Sequence, residues 1–141
     1  MKTMSTQEKN KMLVRDVMLG MNRVPVVKEK TILKEALEQM GLTRLGIVCI
    51  VNDNNQLLGI LTDGDIRRKL LKVQKPLSAF FVDDAIDHSI HSPVVVTPDD
   101  MLRNAIELME QKQIWDLPVI DNDILVGLLH LHPAVKALLE G

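Results

Sequence analysis

Apolar residues recur at helical spacing in two stretches of the chain, and short β-branched runs follow each of them. Ile32, Leu33, Ala36, Leu37 and Met40 form one stripe, and Met101, Leu102, Ala105, Ile106 and Met109 form the other. Each predicts an amphipathic helix. Pro98-Asp99-Asp100 ahead of the second stripe suits a helix start, with acidic groups near the positive end of the dipole. Two apolar runs then come in each case: Ile47–Val51 and Leu57–Leu61, later Leu117–Ile120 and Ile124–Leu129. Asp53-Asn54-Asn55 and Asp121-Asn122-Asp123 separate them and predict hairpin turns. Closing helices are expected from about Asp65 to Lys72 and from about His132 to Leu139, and a lone strand before each first helix, at Pro25–Val27 and Val94–Val96.

The two stretches are copies of one plan. TILKEALEQM (31–40) matches DMLRNAIELM (100–109) at an offset of 69, with Leu33/Leu102, Ala36/Ala105, Glu38/Glu107 and Met40/Met109 identical. LLGILTDGDIRRKLL (57–71) matches LVGLLHLHPAVKALL (125–139) at an offset of 68. The resulting organisation is a flexible lead-in over 1–13, a module over 14–73, a linker over 74–84 and a second module over 85–139. Repetition on this scale means that neither unit buries its apolar face alone. The expected fold class is α+β, two pseudo-symmetric β-α-β-β-α units packed through their sheets.

Composition narrows the function classes. With 17 basic and 19 acidic residues in 141, the net charge of −2 gives no electrostatic reason to expect nucleic acid or an anionic membrane. The single cysteine, Cys49, excludes an internal disulfide and a Cys-rich zinc site, and its apolar setting predicts a buried thiol. Aromatics are limited to Trp115, Phe80 and Phe81, so the core is aliphatic. No apolar run is long enough to span a bilayer and nothing resembles a signal peptide, which makes the cytoplasm the expected location.

The order strand–helix–strand–turn–strand–helix, twice, with GILTDGD at the third strand, resembles the CBS domain pair, or Bateman module, over residues 14–139. VRDVM (14–18) is similar to that family's entry and LPVIDNDILVGLL (117–129) to its second and third strands. LTDGDIRR (61–68) and GLLHLH (127–132) are most similar to the C-terminal CBS pair of arabinose 5-phosphate isomerases, of lipopolysaccharide and capsule precursor synthesis. A comparable TDGDIRR occurs in CBS pairs attached to sugar nucleotidyltransferases. Only 13 residues precede Val14, so a catalytic sugar isomerase domain is not expected within this chain.

The resemblance implies an adenosine-type ligand in a cleft between the modules. Thr62 and Asp65 match the family's Thr/Ser and Asp, three residues apart at the third strand–second helix junction. An ionised carboxylate can accept two hydrogen bonds from a ribose diol, and the threonine hydroxyl can meet a phosphate or sugar oxygen. The same segment read locally is a capped helix start. By the same resemblance Ile60 lines the base through backbone and apolar contacts, Ser89 and Val94 flank it, and Ile114 and Trp115 stand where the second strand begins. Trp115 is either a packing aromatic at a seam or a ring covering a base or sugar face. Arg68 and Arg44, with Arg67 beside them, offer guanidinium forks for phosphate or a solvated basic face. The second junction departs from the pattern: His130 replaces the threonine and Pro133 the aspartate, leaving His130 and His132 as weaker contacts.

No nucleophile elbow, P-loop, HExxH or dinucleotide glycine pattern is present, and no residues are assigned to catalysis or metal binding. The expected function is a non-catalytic regulatory module binding AMP, ADP, ATP or a CMP-linked sugar. It would act on a sugar isomerase domain and form a homodimer through its helices. The alternatives are a structural dimerisation module without ligand, or a CBS pair serving a sugar nucleotidyltransferase.

Overall fold

Both apolar stripes become helices in a computed structural model of the chain, which describes residues 11–72 and 74–140. Helix α1 (Leu33–Thr43) buries Leu33, Ala36 and Met40. With α2 (Asp63–Lys72) and α3 (Leu77–Phe81) it belongs to a compact unit spanning Arg23–Pro93, here the central unit. Helix α4 (Leu102–Lys112) buries the repeat-related Leu102, Ala105 and Met109. With α5 (Leu131–Glu140) it belongs to a second unit, built from residues 11–22 and 94–140, here the split unit. Both long helices end on a left-handed residue, Arg44 at φ 60° and Gln113 at φ 54°, whose amides bond back to the last turn.

The central sheet runs β2 (Val26–Lys28), β3 (Ile47–Val51), β4 (Leu57–Thr62), with β2 parallel and β4 antiparallel to β3. The split sheet runs β1 (Leu19–Gly20), β6 (Ile124–His130), β5 (Asp116–Asp121), all antiparallel. Both hairpins turn where expected. Asn55 takes φ 61° at one, and Asn122 and Asp123 take φ 49° and 69° at the other. The Asn52 carboxamide accepts the amides of Asn54 and Gln56 and closes the first turn.

The lone strand expected at Val94–Val96 reduces to a single bridge between Val96 and Val119. Cys49 donates its amide to Pro25 at 2.9 Å to extend β2 along β3. Its counterpart at the offset of 69 is Pro118, which has no N–H to give, so that ladder stops at one residue. The second long helix also starts later than Pro98–Asp100 suggested, at Leu102. Asp100 instead accepts the Thr97 amide across a turn, and Asp99 pairs with Arg15.

Compact units and sequence repeats are offset by an exchange of entry segments. Strand β1 precedes the first repeat's helix, yet it pairs with β6 of the split unit through Leu19↔Leu128 and Gly20↔Gly127. Ile90, which precedes the second repeat's helix, bridges Ile60 of β4 in the central unit. Helix starts follow the same rule: the Leu102 amide reaches the Met12 carbonyl and the Leu33 amide the Asp83 carbonyl, both at 2.8 Å. Residues 1–10 of the expected lead-in lie outside the described residues, while Met12 and Leu13 are bonded into the split unit. The segment expected as a linker over 74–84 carries α3, whose Phe80 sits in the central core with Leu33, Met40 and Leu61. The split core gathers Val14, Leu102, Met109, Leu117 and Leu129.

Candidate functional site

The junction of β4 and α2 forms where the chain needs it to turn at once from strand to helix. The Asp63 amide donates to the Gly46 carbonyl at 3.0 Å. Gly46 holds φ +70°, and a Cβ there would lie 2.9 Å from an Asp63 carboxylate oxygen, so only glycine fits without displacement. Thr62 then caps the helix, its Oγ1 accepting the Asp65 amide at 3.2 Å. The same hydroxyl donates to Asp65 Oδ2 at 2.7 Å, and the Arg68 guanidinium donates to Asp65 Oδ1 at 2.5 Å. Gly64 leaves room for that guanidinium, which would sit 3.2 Å from a Cβ at this position.

Helix cap and ligand site are therefore not competing descriptions of Thr62. Asp65 remains 19% exposed, and each carboxylate oxygen has a second lone pair after these bonds. Thr62, Asp65 and Arg68 form one connected group, and the loop of Arg44 and Gly46 abuts it through the Asp63–Gly46 bond. Arg67 and Arg44 are exposed. Ile60 is buried, and its amide and carbonyl pair with Ile90 at 3.0 and 2.8 Å, so its amide is not open to a base. Ser89 belongs to the central unit, where its hydroxyl donates to the Ile86 carbonyl at 2.8 Å and packs on Gly59. Val94, Ile114 and Trp115 belong to the split unit. The first two pack on its core, and Trp115 is 69% exposed.

In the split unit the equivalent junction has a different chemistry. Strand β6 ends at His130 and α5 begins at Leu131, so His132 is an exposed residue of the helix's first turn, where the closing helix was expected. His130 Nδ1 lies 2.7 Å from Asp116 Oδ1. Asp116 carries no local signal of this role, although the repeat offset sets it against Ile47, an apolar residue. Burial pushes the Asp116 carboxyl up from its ordinary 3.8, against the opposing pull of His130.

That shift has a signed consequence. The folded chain holds the Asp116 proton more tightly than the unfolded chain, so this group's contribution to stability is full below pH 3.8 and is lost as pH rises through the raised value. Asp116→Asn is expected to abolish that decline, and urea midpoints measured upward from pH 3.8 should fall less for the variant than for the native chain. Asp83 works in the other direction. Lys75 foremost, then His88, donate to its Oδ2 at 2.6 and 2.8 Å and hold it below 3.8, so its contribution is present above that value and lost beneath it. The two windows do not overlap. The His88 ring packs against Phe80 at 4.7 Å between centroids, with a buried Nδ1 that has no partner.

Among the described residues no group of three or more His, Cys, Asp or Glu is arranged to hold a metal ion, and no helix is long and apolar enough to cross a membrane. The CBS domain family model matches residues 14–72 and 83–139. Arabinose 5-phosphate isomerase KdsD of Escherichia coli K12 is 31% identical over 124 residues, covering 88% of this chain and 37% of its own length. The chain thus spans little more than a third of such curated relatives. Among solved structures, CBSX2 in complex with AMP matches with a TM-score of 0.79 and 29% identity over 90% of this chain and 96% of its own. A putative acetoin utilization protein (AcuB) from Vibrio cholerae matches at 0.77 and 26%, over 91% and 90%. A family model that covers both repeats, on a fold shared with solved CBS proteins, establishes that this chain belongs to the CBS domain family as a tandem pair.

Proposed function

We propose that this CBS pair is a regulatory module that takes up a nucleotide or nucleotide-linked sugar at the Thr62–Asp65 junction and passes its level on to a sugar-phosphate isomerase. The observation that carries the reading is the connected group Thr62–Asp65–Arg68, which combines a hydroxyl, a partly exposed carboxylate and a guanidinium at one strand end. A carboxylate there suits a ribose diol, and the guanidinium suits a phosphate. The AMP complex of the similar CBSX2 supports an adenosine nucleotide, while the likeness to arabinose 5-phosphate isomerase supports a CMP-linked sugar as an end-product signal. Within the central unit Ser89, Arg44 and the side chain of Ile60 are the remaining contacts in this reading, and the location it implies is cytoplasmic. Coupling to an enzyme requires the ligand to prefer one conformation of the pair over another.

Thermal-shift titration with AMP, ADP, ATP, CMP and a CMP-sugar tests it. A true ligand at a hundredfold excess over its Kd stabilises the folded chain by about 2.7 kcal/mol. Asp65→Ala is expected to remove that shift while keeping the native circular dichroism, because Thr62 still caps the helix. Absence of a shift with every nucleotide, alongside a dimer in light scattering, would favour a structural module instead. That second reading draws on Leu71 and Leu139, exposed at equivalent repeat positions on α2 and α5.

A further inference from the structure

The two exchanged entry segments take the same register on their units but are held there by different forces. In the central unit the Leu33 amide reaches the Asp83 carbonyl and the Ala85 amide reaches the Thr31 carbonyl. In the split unit Leu102 with Met12, and Val14 with Asp100, repeat those bonds. Asp83 therefore corresponds to Met12, His88 to Val17, Ser89 to Met18 and Ile90 to Leu19.

Burial holds the segment of the split unit. Leu19 is 8% exposed within a paired strand, and Met12, Val17 and Met18 pack on the core. In the central unit Ile90 is 41% exposed, so burial does little to keep it on β4. The places of Met12 and Val17 are taken there by Asp83 and His88, and Lys75 donates to the same Asp83 oxygen as His88. The His88 side chain is only 12% exposed, at a desolvation cost that a valine does not incur. A polar group that the other repeat replaces with apolar packing is not a requirement of the fold.

Its geometry fits it for a different task. The Lys75–Asp83 ion pair ties the chain before α3 to the chain after it, and the Asp83–His88 bond spans the single turn of Ala85–His88. The next two residues meet β4: Ser89 packs on Gly59, and Ile90 pairs with Ile60 through both amides. Strand β4 is an edge of its sheet, and Thr62 lies two residues beyond Ile60.

We propose that Lys75, Asp83 and His88 are positioning residues that latch the segment Asp83–Ile90 onto the edge of β4, and so hold Thr62 and Asp65 in place for a nucleotide. The effect on a nucleotide rests on Thr62–Asp65 being its site; the hold on β4 does not. Losing the latch frees the β4 edge without unfolding the unit. The Lys75–Asp83 pair is 38% and 27% exposed, and a pair so placed adds little to global stability.

Native-state amide hydrogen exchange on the whole chain, with AMP titrated calorimetrically, tests the latch. Lys75→Gln removes the charge, and His88→Val introduces the side chain that the split unit carries at Val17. Both variants are expected to speed exchange at the Ile60 and Ile90 amides about tenfold relative to the rest of the β3–β4 ladder, with circular dichroism unchanged. AMP should bind about fivefold more weakly to each, at a thermal midpoint unchanged in Lys75→Gln. Lys75→Arg, which keeps the charge, should keep both the slow exchange and the affinity. A merely structural contact would lower the midpoint and speed exchange throughout the unit, and that result overturns the latch. So does native exchange at Ile60 and Ile90 in both variants, or native AMP affinity where exchange there has risen. Selective exchange in the variants of a chain that binds no AMP upholds the hold on β4 and sinks the nucleotide reading instead, so the two failures are distinguishable.

Discussion

Gly127→Val is expected to lower stability by about 1–3 kcal/mol, through forced displacement of β1 from β6. A Cβ at this position would stand 2.7 Å from the Leu19 carbonyl oxygen and 2.8 Å from the Met18 sulfur. The carbonyl belongs to a paired strand backbone and cannot swing away as a side-chain tip would. Gly59 is the counterpart in the central unit, where a Cβ would meet the Ser89 hydroxyl at 2.4 Å and the Ile90 carbonyl at 3.0 Å. Both glycines serve close backbone approach by an exchanged segment. Gly41 provides the opposite sign. It lies within α1, and a Cβ there would meet nothing within 4 Å, so Gly41→Ala should stabilise the chain by roughly 0.5–1 kcal/mol. Thermal melts of the three proteins decide the matter: a Gly127→Val midpoint at or above the native one would refute the close-approach account.

The second large effect is at Phe80. Its ring is fully buried among aliphatic side chains, 4.7 Å from the His88 ring and 6.0 Å from Phe81. Phe80→Ala removes this packing and leaves a cavity beside the His88–Asp83–Lys75 group, a loss of about 3–5 kcal/mol. That is a large share of the roughly 5–15 kcal/mol by which domains of this kind are generally stable. Urea denaturation should show the midpoint falling sharply. A loss below about 1 kcal/mol would mean that the segment over 74–93 contributes little to the central core.

Both predictions concern contacts that local pattern does not announce, which marks the boundary of what the sequence makes legible. Helices α1 and α4 were readable because a stripe of period 3.6 is a local property, and the hairpins because Asp53–Asn55 and Asp121–Asp123 favour the required turn conformations. The partners of β1 and Ile90 were not readable. Each is too short to show a period, and each pairs with residues far along the chain. The arrest of the Val96 ladder was readable in principle, since aligning the repeats sets Pro118 against Cys49. Within the candidate site, the spacing of Thr62 and Asp65 was visible, and their mutual hydrogen bond agrees with it. The Asp116–His130 pair depends on strand register, which a one-residue slip would destroy.

The exchange of entry segments also constrains where this protein can be divided. A cut at the boundary between the repeats would strip each half of the edge that completes its sheet and of the carbonyl that receives its first helix, Asp83 for one and Met12 for the other. Excision must follow the spatial unit. Arg23–Pro93 can be lifted out as one uninterrupted stretch, whereas its sibling requires a splice joining residues 22 and 94.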